Sequence, residues 1–219
     1  MSDRNEESMA PAWFAALQGR WCLRRCVIAR AAAQTSHVEA RLTGEVRLVP
    51  AERGIALQYE ETGVLRLRHG AALQSKRRYL YRCEVSETQQ QLAIDFADGP
   101  SAGLPFVQLP WPALRERDAA EGEDLHLCGA DRYQVRYRFE TSRGATAFSD
   151  TAVDVNDGMH SRPGTEAIAW RLIKQRGDET ESREGDSALP RWQRIVQRTR
   201  VRGPKKDYAI VSILDRIEV

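Results

Sequence analysis

An antiparallel all-β barrel is the fold class this sequence predicts, and three observations predict it. Apolar residues recur at every second position in segment after segment. Turn residues separate those segments at short intervals. No stretch between them carries the apolar period of the long helices that a βαβ architecture needs.

The first element is the exception. Pro11-Ala-Trp-Phe-Ala-Ala-Leu17 reads as a short helix, with Pro11 suited to its first turn and Gly19 placed to end it. Trp13, Phe14 and Leu17 would cover an apolar opening. From Arg20 onward the period is two. Trp21, Leu23 and Val27 alternate with Cys22, Arg24 and Cys26, and Leu42, Val46 and Leu48 with Arg41, Glu45 and Arg47. The clearest alternation sets Tyr133, Val135, Tyr137 and Phe139 against Arg132, Gln134, Arg136 and Arg138. Successive strand side chains point to opposite faces, so each segment has one buried face and one wet one. Further strands carry Ile55 to Glu60, Leu65 and Leu67, Tyr79 to Val85, Leu92 to Phe96, Ile168 to Leu172, Trp192 to Val196, and Asp207 to Val219. Turns are expected at Glu52 to Gly54, Glu61-Thr-Gly63, His69-Gly70, Asp98-Gly99, Gly129 and Arg202-Gly-Pro204. Residues 1–9 are expected to be disordered and 10–219 to form one domain, with acidic loops near 110–124 and 175–190.

A chain of 219 residues buries a sufficient core without disulfides or metal staples. Lys and Arg number 33 against 31 Asp and Glu, so any basic function must come from clustering rather than net charge. Cys22, Cys26, Cys83 and Cys128 form no paired CxxC spacing and read as reduced, partly buried small residues. No run is long and apolar enough for a membrane span, and the acidic polar start does not resemble a signal peptide, so the cytoplasm is the expected location.

Gly19-x-Trp21 opens the first strand, and Arg216 lies on the last. Together they resemble the landmark pair of calycins, in which an arginine packs over the tryptophan at the closed end of a barrel. A guanidinium over an indole face makes a favourable cation–π contact. Six pieces are similar to the uncharacterised calycin-like DUF6314 family. They are Gly19-x-Trp21-x-Leu-Arg-Arg25, Tyr59-Glu-Glu-Thr-Gly63, Arg78-Tyr-Leu-Tyr81, Phe96-Ala-Asp-Gly99, His126-Leu-Cys-Gly-Ala-Asp-Arg-Tyr133 and Gly203-Pro-Lys-Lys-Asp-Tyr208. The resemblance implies a lipocalin-like barrel and no established activity. Pro100 to Phe106 stands where the family pattern has an Arg and an aromatic-His pair, and 156–190 reads as an insertion.

Three function classes follow. A non-catalytic module would bind a small, partly apolar or anionic ligand among Tyr79, Tyr81, His126, Tyr133 and Tyr137, with Lys205 and Lys206 attracting an anion at the rim. An interaction protein would bind RNA or a protein complex through Arg194, Arg198, Arg200 and Arg202, which share one parity, with Trp192 beside them and Arg77 among the residues extending the stripe. An enzyme would use Cys128 as nucleophile with His126 as base and Asp131 nearby. Each polar motif also has a structural explanation. Cys128 would pack, Asp131 would cap a turn, and Gly203, Pro204, Asp207 and Tyr208 would lock a hairpin. No phosphate loop, dinucleotide fingerprint, nucleophile elbow or metal-binding motif is present, so no cofactor is predicted.

Overall fold

A period of two places one row of side chains inside and the next outside, and the computed structural model shows ten strands that obey it. It describes residues 11–30, 36–51, 55–86, 89–111, 119–141 and 191–218. A four-residue helix, α1 (Ala12–Ala15), precedes β1 (Gly19–Arg30), β2 (Ser36–Pro50), β3 (Ala56–Leu67), β4 (Ala72–Val85), β5 (Gln90–Phe96) and β6 (Pro105–Pro110). Then follow β7 (Ala119–Cys128), β8 (Asp131–Thr141), β9 (Trp192–Gly203) and β10 (Lys206–Arg216). All hydrogen-bonded neighbours are antiparallel, in the order β6-β5-β4-β3-β2-β1-β10-β9-β8-β7. The sheet curls until its two edge strands lie side by side, which gives a nearly closed barrel.

The seam between β6 and β7 closes by side chains. Asp124 Oδ2 accepts a hydrogen bond from the Gln108 amide at 2.8 Å, and Oδ1 accepts one from the Leu125 amide at 2.7 Å. Two residues further, the His126 ring lies 5.9 Å from Phe106. Gly122 permits the approach, because a Cβ there would sit 3.1 Å from Leu109 Cβ. Full closure removes exposed edges; here a carboxylate takes the place of a ladder bond.

α1 plugs the end where β1 begins. Pro11 stands at its N-cap, and Trp13, Phe14 and Leu17 are buried in the core. Trp13 stacks on Trp111 with centroids 3.7 Å apart, and its carbonyl accepts a 2.8 Å hydrogen bond from Trp192 Nε1. Arg216 pairs directly opposite Trp21 in the ladder, with its guanidinium 4.3 Å from the indole centroid. It donates to the carbonyls of Trp192 at 2.6 Å, Gln18 at 2.9 Å, and Ala16. Burial lowers its pKa to about 10, which still leaves it charged at neutral pH. Gly19 is required at this position. Its φ is +144°, and a Cβ would lie 2.6 Å from Arg216 Nη1.

Several expectations need correction. Glu61-Thr-Gly63 is not a turn but the middle of β3, where Gly63 faces Gly44. A Cβ on Gly63 would sit 2.6 Å from the Thr43 carbonyl oxygen, so glycine serves close strand approach there. The segments around Leu57 and Leu65 are therefore one strand. The stretch 119–124 is not loop but the start of β7. Its inward positions are Ala120, Gly122 and Asp124, too small or polar to show apolar alternation, and its outward Glu121 and Glu123 pair with Arg138 and Arg136 at 2.8 and 2.7 Å. The last strand ends at Arg216, short of Val219. Trp192 shares even numbering with Arg194 but not its face. A register shift between Glu140 and Thr141 turns Trp192 into the core, away from any partner on the outer face. Cys26 is buried, but Cys22 and Cys128 are exposed, and all four cysteines are unbridged. The strand expected around Trp170, residues 1–9 and the acidic stretch 175–190 lie outside the described residues.

Candidate functional site

The strand order sends the turns at 68–71, 97–104, 129–130 and 204–205 to the end opposite α1. Inward side chains near that end are aromatic and polar rather than aliphatic. Tyr59 from β3 stacks on Tyr81 from β4 at 5.5 Å, and Tyr79 stacks on Phe106 at 5.6 Å. Tyr133 and Tyr137 enter from β8, and Tyr137 and Tyr81 both face the cavity. Burial pushes the Tyr59, Tyr81 and Tyr137 phenols above their ordinary pKa. These rings surround a cavity of about 50 Å³ that Gln197, Thr199, Ile210, Arg25 and Arg77 complete.

At the base of that cavity lies a pair of charges inside the barrel. Arg25 shares the inward parity of Trp21 and Leu23, and Glu61 that of Leu57 and Tyr59. The guanidinium donates to both Glu61 oxygens at 2.8 Å, and its Nε donates to Ser212 Oγ at 2.8 Å. Tyr59 donates its hydroxyl to Glu61 Oε2 at 2.9 Å. The pair spans two ladder rows. The row between holds Gly44 and Gly63, whose missing side chains leave the path clear. Burial opposes the Arg25 charge, but the Glu61 carboxylate outweighs it and raises the arginine pKa. Arg77, one turn of pleat above Tyr79, is exposed at the mouth and has no ion pair among the described residues.

The two most distinctive sequence motifs meet at the rim. Asp131 from the β7–β8 hairpin accepts a 2.5 Å hydrogen bond from Lys206 Nζ on the β9–β10 hairpin. Asp131 Oδ1 occupies the space beside Gly203, where a Cβ would lie only 1.8 Å away. The Tyr133 hydroxyl interacts with Lys206 and with Tyr208, and the Asp131 bond raises the Lys206 pKa. Gly129, with φ of +60°, and Pro204 supply the turns that bring the hairpins together. Lys206 is thus held by Asp131, whereas Lys205 is exposed in the turn. Asp207 reaches across to Arg200 on the outside.

His126 lies between Phe106 and Tyr133, 5.9 Å from each ring centroid. Cys128 sits at the exposed strand end opposite Asp131, and no hydrogen bond joins it to His126 among the described residues. The described residues contain no cluster of His, Cys, Asp or Glu able to hold a metal ion. Arg194, Arg198, Arg200 and Arg202 all point outward, with Arg194 bonded to Asp215 at 2.6 Å. Arg77 does not extend that stripe, because its parity turns it into the mouth. No described helix is long and apolar enough to cross a membrane.

Residues far apart in the chain thus converge around one cavity: Arg25, Tyr59, Tyr81 and Tyr133 come from four of the motif pieces and line it, while Lys206 is held at the rim by Asp131. Residues 17–154 match the model of DUF6314, a family of unknown function. The chain belongs to this family. The matched span of this DUF6314 member includes β1 to β8 and stops before β9 and β10, so the Gly203 to Tyr208 hairpin lies beyond it. No curated protein and no solved structure matches the chain.

Proposed function

We propose that this DUF6314 protein is a non-catalytic, calycin-like binding module whose open end receives the anionic head group of a small ligand. One observation carries the reading: a tyrosine-lined cavity bordered by Arg77, a guanidinium without a carboxylate partner among the described residues. Arg25 is already neutralised by Glu61, so Arg77 is the group with charge to offer. Size narrows the ligand. A water needs roughly 10–15 Å³ of such space, so about 50 Å³ takes a carboxylate or phosphate and a water or two. Drug-sized ligands need roughly 300–1,000 Å³. The apolar remainder of the ligand would rest at the mouth on Phe106 and Tyr79, with His126 beside them. The unbridged cysteines, two of them exposed, support placement in a reducing compartment such as the cytoplasm.

Thermal denaturation in the presence of inorganic phosphate, phenyl phosphate, benzoate and short aliphatic carboxylates tests the reading. A ligand that binds only the folded state raises the melting temperature with its concentration. At least one compound is expected to do so, and Arg77→Gln to weaken it about tenfold or more, the usual cost of one charge-assisted hydrogen bond. A panel without effect, or an effect that survives Arg77→Gln unchanged, removes the proposal.

A further inference from the structure

The outer face at the rim carries a second feature, independent of the cavity. Four outward arginines on β8 and β9 have carboxylate partners: Arg136 with Glu123, Arg138 with Glu121, Arg194 with Asp215, and Arg200 with Asp207. Arg132 and Arg202 break this pattern. They stand directly opposite one another in the β8–β9 ladder, both exposed, and neither has an ion pair among the described residues. Asp207 is the register partner of Arg202 but bonds Arg200 instead. Like charges directly opposite on neighbouring strands destabilise a sheet unless a counter-charge relieves them.

Apolar surface adjoins the two guanidinium groups. Leu125 and Leu127 on β7 point outward and are 50% and 63% exposed, and Leu127 pairs with Arg132 in the ladder. An open groove of about 450 Å³ runs between Leu125, Arg132, Gln134, Arg200 and Arg202. The carboxylates that border it are already engaged. Glu123 is held by Arg136 and Gln134, and Asp124 by two backbone amides.

We infer that this groove docks a partner protein through a segment in which acidic residues alternate with leucine-like apolar ones, the carboxylates reaching Arg132 and Arg202 and the apolar side chains covering Leu125 and Leu127. A guanidinium fork binds a carboxylate with two parallel hydrogen bonds, and apolar cover beside it excludes the water that would screen the pair. RNA fits this face less well. A phosphate backbone needs a run of available cations and bases need exposed rings, whereas neighbouring arginines are neutralised and Trp192 is buried.

Selection from a random-peptide display library on the full-length protein tests the inference. Enriched sequences are expected to place Asp or Glu next to Leu, Ile, Met or Phe, and a labelled synthetic copy of the consensus is expected to bind in solution. Arg132→Glu/Arg202→Glu is expected to weaken that peptide by about tenfold or more, as loss of interfacial charge pairs does, and Leu125→Ser/Leu127→Ser to weaken it as well. Arg77→Gln, at the barrel mouth and off this outer face, leaves it unchanged, which separates this site from the cavity. A melting curve checks each variant, and Arg132→Gln/Arg202→Gln replaces the charge reversal if that variant does not fold. No enrichment, a consensus without acidic residues, or equal peptide binding by the double variant overturns the inference. So does a single-stranded RNA oligomer that binds the wild type more tightly than the peptide, since the face would then serve nucleic acid.

Discussion

Arg25 carries a charge at a position whose same-face neighbours, Trp21 and Leu23, are core residues. That mismatch is visible in the sequence, and so is the matching one at Glu61 beside Leu57 and Tyr59. A parity reading that tracks only apolar residues passes over both. The pairing itself was not legible, because nothing local links β1 to β3 across β2. Removing one member of a buried ion pair leaves the other uncompensated, at a cost of about 3–5 kcal/mol, while replacing both with apolar residues is often neutral. Urea unfolding of Arg25→Met is therefore expected to show a loss of about that size, and Arg25→Met/Glu61→Leu to recover most of it. A double variant as unstable as the single would show that Arg25 acts through Ser212 or the tyrosines instead. The Gly203–Asp131 approach has the same character as the buried pair. The rarity of Gly-Pro-Lys-Lys marks the hairpin in the sequence, but only the fold brings Asp131 to the space a side chain would fill.

The strands were legible where large apolar residues alternate, as in β8, and illegible where the inward row is small or polar. β7 is the clearest case, since Ala120, Gly122, Asp124 and His126 form its inward row and its outward row is acidic. Gly63 misled for a related reason. A glycine after Glu-Thr reads as a turn, yet here it lets β3 press against β2. The same small inward row explains the seam, where Gly122 admits Leu109 and Asp124 reaches the Gln108 amide. The amide of Gln108 is expected to be protected from hydrogen exchange, and Asp124→Ala to speed its exchange more than that of Gln108's neighbours in β5. Uniform acceleration across the barrel would mean that Asp124 supports global stability and not the seam.

For the whole molecule, the two ends of the barrel divide the work. One end is packed with tryptophans and tied by Arg216; the other holds phenols and paired charges around a small cavity. Three buried phenols couple that cavity to stability at high pH. Tyr59, Tyr81 and Tyr137 have folded pKa values above the ordinary phenol value of about 10. The unfolded chain therefore releases those protons first. Their contribution is complete below pH about 10 and falls above it, by about 1.4 kcal/mol per pH unit for each phenol. An alkaline absorbance titration is expected to show these three ionising only as the protein unfolds; ionisation within an intact fold would mean that water reaches them.

The direct test of the barrel-mouth reading is a nuclear magnetic resonance titration of ring-labelled tyrosines with phenyl phosphate, benzoate and inorganic phosphate. Saturable shifts confined to the tyrosines around the cavity, with at least one of these anions, are the predicted result, together with their loss in Arg77→Gln. Rings that do not respond to any of them, or that respond equally without Arg77, would contradict it.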